Sequence, residues 1–372
     1  MKFSRLSARR NVLGWMAASM LAVSGIPDAR AAASASTSGQ PLAVVASFSI
    51  VGGMVREIGG SHIQLDTLVG RNSDAHGYEP TPQDARKLGA ARLLVINGLG
   101  FESWLPRLQQ ASGFKGQVVE ASRGVKVRAF EDDDHDHDGE HDHGHDDKDG
   151  HGQNDGHGHK AGHGHDHGKT SGKPASASQA AEGKHAHSHS HDHGHDHGPE
   201  DPHAWQSLAN GAIYARNIAA ALAAADPANA GDYQKRADAY IARINALDAR
   251  LRQDFGAIDA TRRKLVTSHD AFGYFGDAYG VTFIPVSGLS TSAEPSAGGL
   301  ARLIKQVNSE KVSAVFLENI SSPRLAQQIA RETSAKLGGT LYSDALAAEG
   351  DPAGTYLGMF EWNARQLLDA LR

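Results

Sequence analysis

The sequence predicts an α/β protein built as two similar lobes, each around a parallel sheet, joined by one long rigid helix. Three observations carry this expectation. Helix-type and strand-type patterns alternate between residues 42 and 119 and again between 264 and 371. Between the two blocks, apolar residues recur at three- and four-residue steps along one helix face. A single tract, residues 131–200, interrupts the alternation with His, Asp, Gly, Lys and Ser and almost nothing apolar. Strands alternating with helices are the signature of a parallel sheet, and 372 residues at 40% apolar content suffice for two cores.

Taken in order, the first thirty residues read as a signal peptide. Lys2, Arg5, Arg9 and Arg10 form a basic n-region, residues 12–26 an apolar run, and Ala29-Arg30-Ala31 the small residues a signal peptidase needs. The run is too short to span a bilayer, so cleavage after Ala31 is expected; Arg9-Arg10 alone is a weak twin-arginine signal. The mature chain is then exported and periplasmic. The chain has no cysteine, which excludes disulfides, thiolate metal sites and a lipid-anchored cysteine.

The first lobe is expected over 40–222, with strands at 42–48, 63–69, 92–96 and 117–119 and helices at 50–58, 82–88 and 104–110. Residues 131–200 contain 18 of the 22 histidines and 17 acidic residues against 5 lysines, a local charge of −12. Such a segment cannot offset the entropy of ordering and reads as a disordered insertion. Outside it the mature chain is close to neutral, with no basic stripe for nucleic acid.

A linking helix is expected over 226–257, with Asp226 as N-cap, Pro227 at the first helical position and Gly256 as the stop. Tyr233, Ala237, Tyr240, Ile241, Ile244, Leu247, Leu251 and Phe255 form its apolar face. At 1.5 Å per residue it is a rod of roughly 45 Å, long enough to join two lobes. The second lobe, 260–372, reads as strands at 264–267, 281–286, 312–317 and 340–342 and helices at 271–279, 298–308, 322–337 and 355–371.

Only four histidines lie outside the insertion. His62 sits in a surface turn, Gly59-Gly60-Ser61-His62, and has no assigned role. His76, in the loop 74–82, His203, in Asp201-Pro202-His203-Ala204-Trp205, and His269, just after a strand, each open onto a loop. Ligands of open α/β sheets bind outside the carboxyl ends of strands, here the cleft between lobes. Any one of the three could be an ordinary hydrogen-bonded or surface histidine. Three together, in an exported chain with a histidine tract, point to a metal, because neutral imidazole suits zinc, copper and nickel. Tetrahedral zinc asks for a fourth ligand; Asp344, after the last strand, can supply it or else act as a helix cap or loop acid. The separations of 127, 66 and 75 residues place the candidates on four separate loops, unlike the local helix of a metalloprotease.

The segments 74–84, 201–205, 210–226, 268–275, 293–296 and 341–345 resemble those of metal-binding solute receptors of zinc and manganese ABC importers, in the zinc branch typified by ZnuA. The resemblance covers the mature chain apart from the insertion. It implies two lobes on one long helix, little movement on binding, and a metal held between the lobes by His76, His203, His269 and Asp344. It also implies zinc as the transported ion, since histidine rather than glutamate stands at position 269, and a membrane permease with a cytoplasmic ATPase as partner. Some members of that branch complete the site with water where this chain offers Asp344. A monomer is expected, and a metallochaperone is a candidate loader. Asp270 or Glu318 is expected to orient the imidazoles through their second ring nitrogen. The histidine tract is expected to collect zinc at several weak sites. Competing readings are a manganese, iron or nickel receptor of the same fold, a nickel or general metal store, and a zinc-dependent hydrolase, which would need an open coordination position.

Overall fold

The computed structural model describes residues 40–129, 200–288, 291 and 296–372. The expected signal peptide, the histidine tract up to residue 199 and the motif residues 293–295 lie outside the described residues. Pro41–Arg372 forms one unit.

The first lobe is ordered β1 (Leu42–Phe48), α1 (Ser49–Gly59), β2 (Ile63–Val69), α2 (Pro82–Ala90), β3 (Leu93–Ile96), α3 (Leu105–Ser112) and β4 (Gln117–Glu120). All pairings are parallel and the strand order is β2-β1-β3-β4. The run Leu-Ala-Val-Val-Ala-Ser-Phe of β1 is buried almost throughout, as a strand covered by helices on both faces must be. Right-handed crossovers put α1 on one face and α2 and α3 on the other. The second lobe repeats the plan with β5 (Lys264–His269), α6 (Gly273–Tyr279), β6 (Thr282–Ser287), α7 (Ala297–Ser309), β7 (Ala314–Glu318), α8 (Pro323–Glu332), β8 (Lys336–Leu341) and α9 (Tyr356–Leu371). Its sheet is β6-β5-β7-β8, again all parallel.

Two helices follow the first sheet in sequence, the last of the first lobe and then the linker. α4 (Leu208–Ala225), an alanine-rich helix capped by the Ser207 hydroxyl, adds to the expected alternation. α5 (Ala230–Gly256) is the linking helix, 27 residues or about 40 Å long. Its start differs from expectation. Asp226 does not cap a helical N–H; its carboxylate accepts from Asn229 Nδ2 and the Tyr233 hydroxyl, and Pro227–Asn229 forms a 3₁₀ turn before the α-helix begins. Nor does Gly256 stop the helix by turning left-handed: it is the last helical residue, followed by Ala257 at φ −78°. The apolar stripe is as read, with Tyr233, Ala237, Tyr240, Ile244, Leu247, Leu251 and Phe255 buried and Ile241 at the margin. This face packs on α1 and α4 of the first lobe and on α6 and α9 of the second.

Two further boundaries move. The helix expected from 271 begins at Gly273, because Ala271 and Phe272 complete the turn that leaves β5. The helix expected over 322–337 ends at Glu332: Thr333 is extended at φ −130° and its hydroxyl returns to the Ile329 carbonyl. The chain then enters β8 at Lys336, paired with β7. Gly338 on β8 faces the Phe316 ring so closely that any Cβ would overlap it.

One apolar core runs continuously from the first lobe through α5 to α6 and α9, and a smaller one, around Val266, Val307, Val315 and Ile329, lies deeper in the second lobe. Because the lobes share the larger core, opening them as a hinge would expose side chains each worth about 1.5–3 kcal/mol when buried. Gly211 on α4 sits against Tyr356 of α9, whose hydroxyl donates to the Trp205 carbonyl at 2.7 Å. A Cβ there would lie 2.8 Å from Tyr356 Cε1 and closer still to its oxygen. Gly211→Ala is expected to destabilise the protein by about 1–3 kcal/mol through overpacking, read as a lower urea midpoint at unchanged slope; an unchanged midpoint would show that α4 and α9 can separate freely.

Candidate metal centre

Four loops at the carboxyl ends of the strands deliver the four candidate side chains to one buried spot. His76 comes from the β2–α2 loop and His203 from the segment that leads into α4. His269 is the last residue of β5, and Asp344 follows β8. His203, His269 and Asp344 are fully buried and His76 is 2% exposed. One ligand atom from each lies within 4.8 Å of all the others. His76 Nε2 and His269 Nε2 are each 3.0 Å from Asp344 Oδ2, His203 Nε2 is 3.3 Å from His76 Nε2, and His203 Nε2 is 3.7 Å from Asp344 Oδ1. A tetrahedral ion with bonds of 2.0–2.1 Å has ligand–ligand edges of about 3.3 Å. The contacts of 3.0–3.7 Å bracket that edge, so the four side chains converge closely enough to share one ion.

Each candidate ligand is held from behind. The Asp201 carboxylate takes both the His203 N–H, at 2.9 Å, and His203 Nδ1, at 2.8 Å, an Asx-type turn that turns Nε2 toward the cleft. Glu318, at the end of β7 beside β5, accepts the Ser268 and His269 N–H groups on Oε1 and sets Oε2 2.6 Å from His269 Nδ1. Asp74 accepts the His76 N–H at 2.8 Å, and its second oxygen accepts from the Thr291 hydroxyl of the other lobe. Phe101 lies edge-on to the His76 ring at 4.9 Å. The loop bearing Asp344 belongs to the second lobe but is tied to the first. Trp205 Nε1 and Gln206 Nε2 donate to the Ser343 carbonyl, the Ser49 hydroxyl accepts from the Leu346 N–H, and Arg71 donates to the carbonyls of Ala347 and Gly354.

Of the two acids expected to orient imidazoles, Glu318 does so. Asp270 does not: its N–H donates to the Gly288 carbonyl and its carboxyl makes no bond to an imidazole. Burial, then the neighbouring Asp201, raises its pKa from the ordinary aspartate value. Asp201 takes the place foreseen for it. Its signal in the sequence was an aspartate two residues before a histidine across a proline. His62 stands apart, 3.0 Å from Asp232 of α5.

Electrostatically the centre is primed for a cation. Burial works against the charge of Asp344, yet the neighbouring His269 and His203 hold its carboxyl well below the usual range. Oδ1 of Asp344 accepts no hydrogen bond although it is buried, the mark of a group with room for one more partner. Burial lowers His76, and Asp344 restores only part of the loss. Burial would lower His269 as well, but Glu318 and Asp344 on its two nitrogens hold it well above the usual histidine value. A cavity of 1210 Å³ between α2 and α3 touches the centre only through His76, while one of 160 Å³ reaches His269 beside Asp74 and Thr291. A bare dication needs neither volume.

Four buried candidate ligands drawn from two lobes that share a core fit a metal-ion receptor. Comparison with known proteins gives the class its family. The family model described as zinc-uptake complex component A, periplasmic, matches residues 44–370, and the chain belongs to that family. It is 27% identical over 344 residues to the manganese ABC transporter substrate-binding lipoprotein PsaA of Streptococcus pneumoniae, covering 91% of each chain. To the iron ABC transporter substrate-binding lipoprotein MtsA of Streptococcus pyogenes it is 28% identical over 336 residues, 89% of each. Among solved structures, the periplasmic zinc-binding protein TroA of Treponema pallidum superposes with a TM-score of 0.67 at 25% identity, over 90% of this chain and 99% of that one. The manganese-bound periplasmic metal-binding protein of Candidatus Liberibacter asiaticus gives 0.66 at 25%, over 90% and 100%. The chain is thus the metal-binding receptor component of an ABC importer, which implies a permease and ATPase, and the hydrolase alternative ends here.

Because its folded pKa is raised, His269 stabilises the metal-free protein fully below the unfolded histidine value of about 6.5 and loses that contribution as pH rises through the folded value. Glu318→Gln is expected to remove a charged hydrogen bond worth on the order of 1.5–3 kcal/mol. The Tm of the metal-free variant should fall most at acid pH and converge on the parent's in alkali; a constant offset across the pH range would contradict this.

Proposed function

We propose that this chain captures Zn²⁺ in the periplasm, after removal of residues 1–31, and hands it to an inner-membrane ABC permease driven by a cytoplasmic ATPase. The ligands in this reading are His76, His203, His269 and Asp344. The observation that carries it is the donor set: three buried imidazole nitrogens and one carboxylate around a single spot. Three nitrogens favour a borderline ion, whereas hard Mn²⁺ prefers more oxygen. The name of the family model and that of TroA speak for zinc, while PsaA and MtsA are named for manganese and iron. Copper would win on affinity alone, so discrimination falls to the tetrahedral geometry that the packed loops impose.

The relatives from streptococci are named as lipoproteins. This sequence has no cysteine to carry a lipid thioether, so in this reading the carrier is not anchored in that way. In this reading the tract 131–200 gathers zinc weakly beside the tight site, and a metallochaperone could load either.

Zinc titration of the mature protein should reveal one tight site together with several weak ones. His76→Ala, His203→Ala and His269→Ala should each weaken the tight site by at least about 100-fold, and deletion of 131–200 should remove only the weak ones. Because metal displaces the proton of His269, zinc affinity should rise with pH through the raised His269 pKa. Direct competition favouring manganese over zinc would move the chain to the manganese branch, and loss of the tight site on deleting the tract would end the proposed division of labour.

A further inference from the structure

We infer that Arg128 and Asp201 form a positioning pair that fixes the His203 ring and thereby sets how slowly the bound ion leaves. The inference rests on the reading of His203 as a metal ligand. Asp201 is fully buried, and its Oδ1 is committed to His203 through both the backbone N–H and the ring Nδ1. Its Oδ2 accepts no hydrogen bond, and the cation facing it is the Arg128 guanidinium, with Nη1 at 3.6 Å. A buried carboxylate oxygen wants a positive partner, and the Arg128 guanidinium facing Oδ2 holds Asp201 in place and turned toward His203.

Arg128 in turn is held by the opposite lobe. Its Nε lies 3.3 Å from Asp277 Oδ2 on α6. Its guanidinium rests on Gly273, the first residue of α6, where a Cβ would come within 2.6 Å of Nη1 and 2.7 Å of Cζ. The main chain is stitched in the same way. The Arg128 N–H donates to the Tyr274 hydroxyl at 2.9 Å, that hydroxyl donates to the Asp201 carbonyl at 3.1 Å, and the Asp201 N–H donates to the Arg128 carbonyl at 3.0 Å. Ala129 and Glu200 then close an antiparallel bridge. A first-lobe ligand is therefore set by contacts to the second lobe. His203 cannot swing off the ion until Asp201 lets go of Nδ1, and Asp201 cannot let go while Arg128 pins it against α6.

The test is the rate at which the full mature protein, loaded with zinc, gives it up to a chromogenic chelator. Arg128→Ala and Asp201→Asn should each speed release by about tenfold or more. The double variant should be no faster than Asp201→Asn alone, since Arg128 acts through Asp201. Arg128→Lys, which keeps a cation opposite Asp201, should recover most of the slow release. The visible spectrum of the cobalt-loaded protein should change in Arg128→Ala and return in Arg128→Lys. Should Arg128→Ala fail to fold, Arg128→Gln removes the charge while keeping the stem and carries the same comparison. Release at the parent rate in both single variants, or effects that multiply in the double variant, would overturn the pair. His203→Ala separates the two levels: unchanged tight binding there refutes the ligand reading itself. Lost binding there, with parent-like release in Arg128→Ala, refutes the pair alone.

Discussion

A carboxylate with no exposure to water, facing three imidazoles that are equally dry, is the constraint from which the rest of this structure follows. Asp344 cannot hold its charge in such a place without partners. Two imidazole nitrogens share its Oδ2, and its Oδ1 takes no hydrogen bond. A dication at that spot would satisfy the carboxylate and the ring lone pairs together.

That arrangement is useful only if the loops cannot relax around whichever ion arrives. The fold supplies the stiffness in two ways. The larger core passes from one lobe to the other along α5, so parting the lobes would expose apolar surface. The Asp344 loop is gripped by Arg71, Ser49, Trp205 and Gln206 from the first lobe. Affinity for first-row metals rises toward copper whatever the protein does; a shell whose corners are set in advance lets geometry decide instead.

The imidazoles are oriented by one device used twice and a second used once. Asp201 and Glu318 each take a ring Nδ1 and so turn Nε2 inward, and each also binds the backbone of the histidine it serves. His76 is set through its backbone by Asp74 and through its ring by Phe101. The two carboxylates leave the centre acidic as a whole. Positive partners are therefore needed at its rim, and Arg128 is placed to be one.

Much of this was legible in the chain. Alternating patterns located seven of the eight strands among the described residues; the eighth, Lys336–Leu341, was caught only at its last two residues, because its Lys-Leu-Gly-Gly-Thr-Leu run is mostly exposed or half-buried and carries no apolar run. The three histidines stood out because histidine is scarce outside one tract and each opened onto a loop from a strand or an ordered segment; Asp344 was reached only as the acid after the last strand, where a fourth ligand was wanted. Boundaries were less legible where a side chain could satisfy the backbone in two ways. Asp226 turned to Tyr233 and Asn229 instead of capping, and Thr333 ended a helix whose sequence could have continued. What only the tertiary structure decided was partnership across long separations. Glu318 and Asp270 are both acids near His269 in space or sequence, yet only the register of β7 beside β5 puts Glu318 behind the ring. No local pattern encodes that, because hydrogen-bond geometry between strands depends on how whole sheets align. Sequence by itself therefore determined which residue types were available to hold a metal, and the folded chain determined which of them face one another.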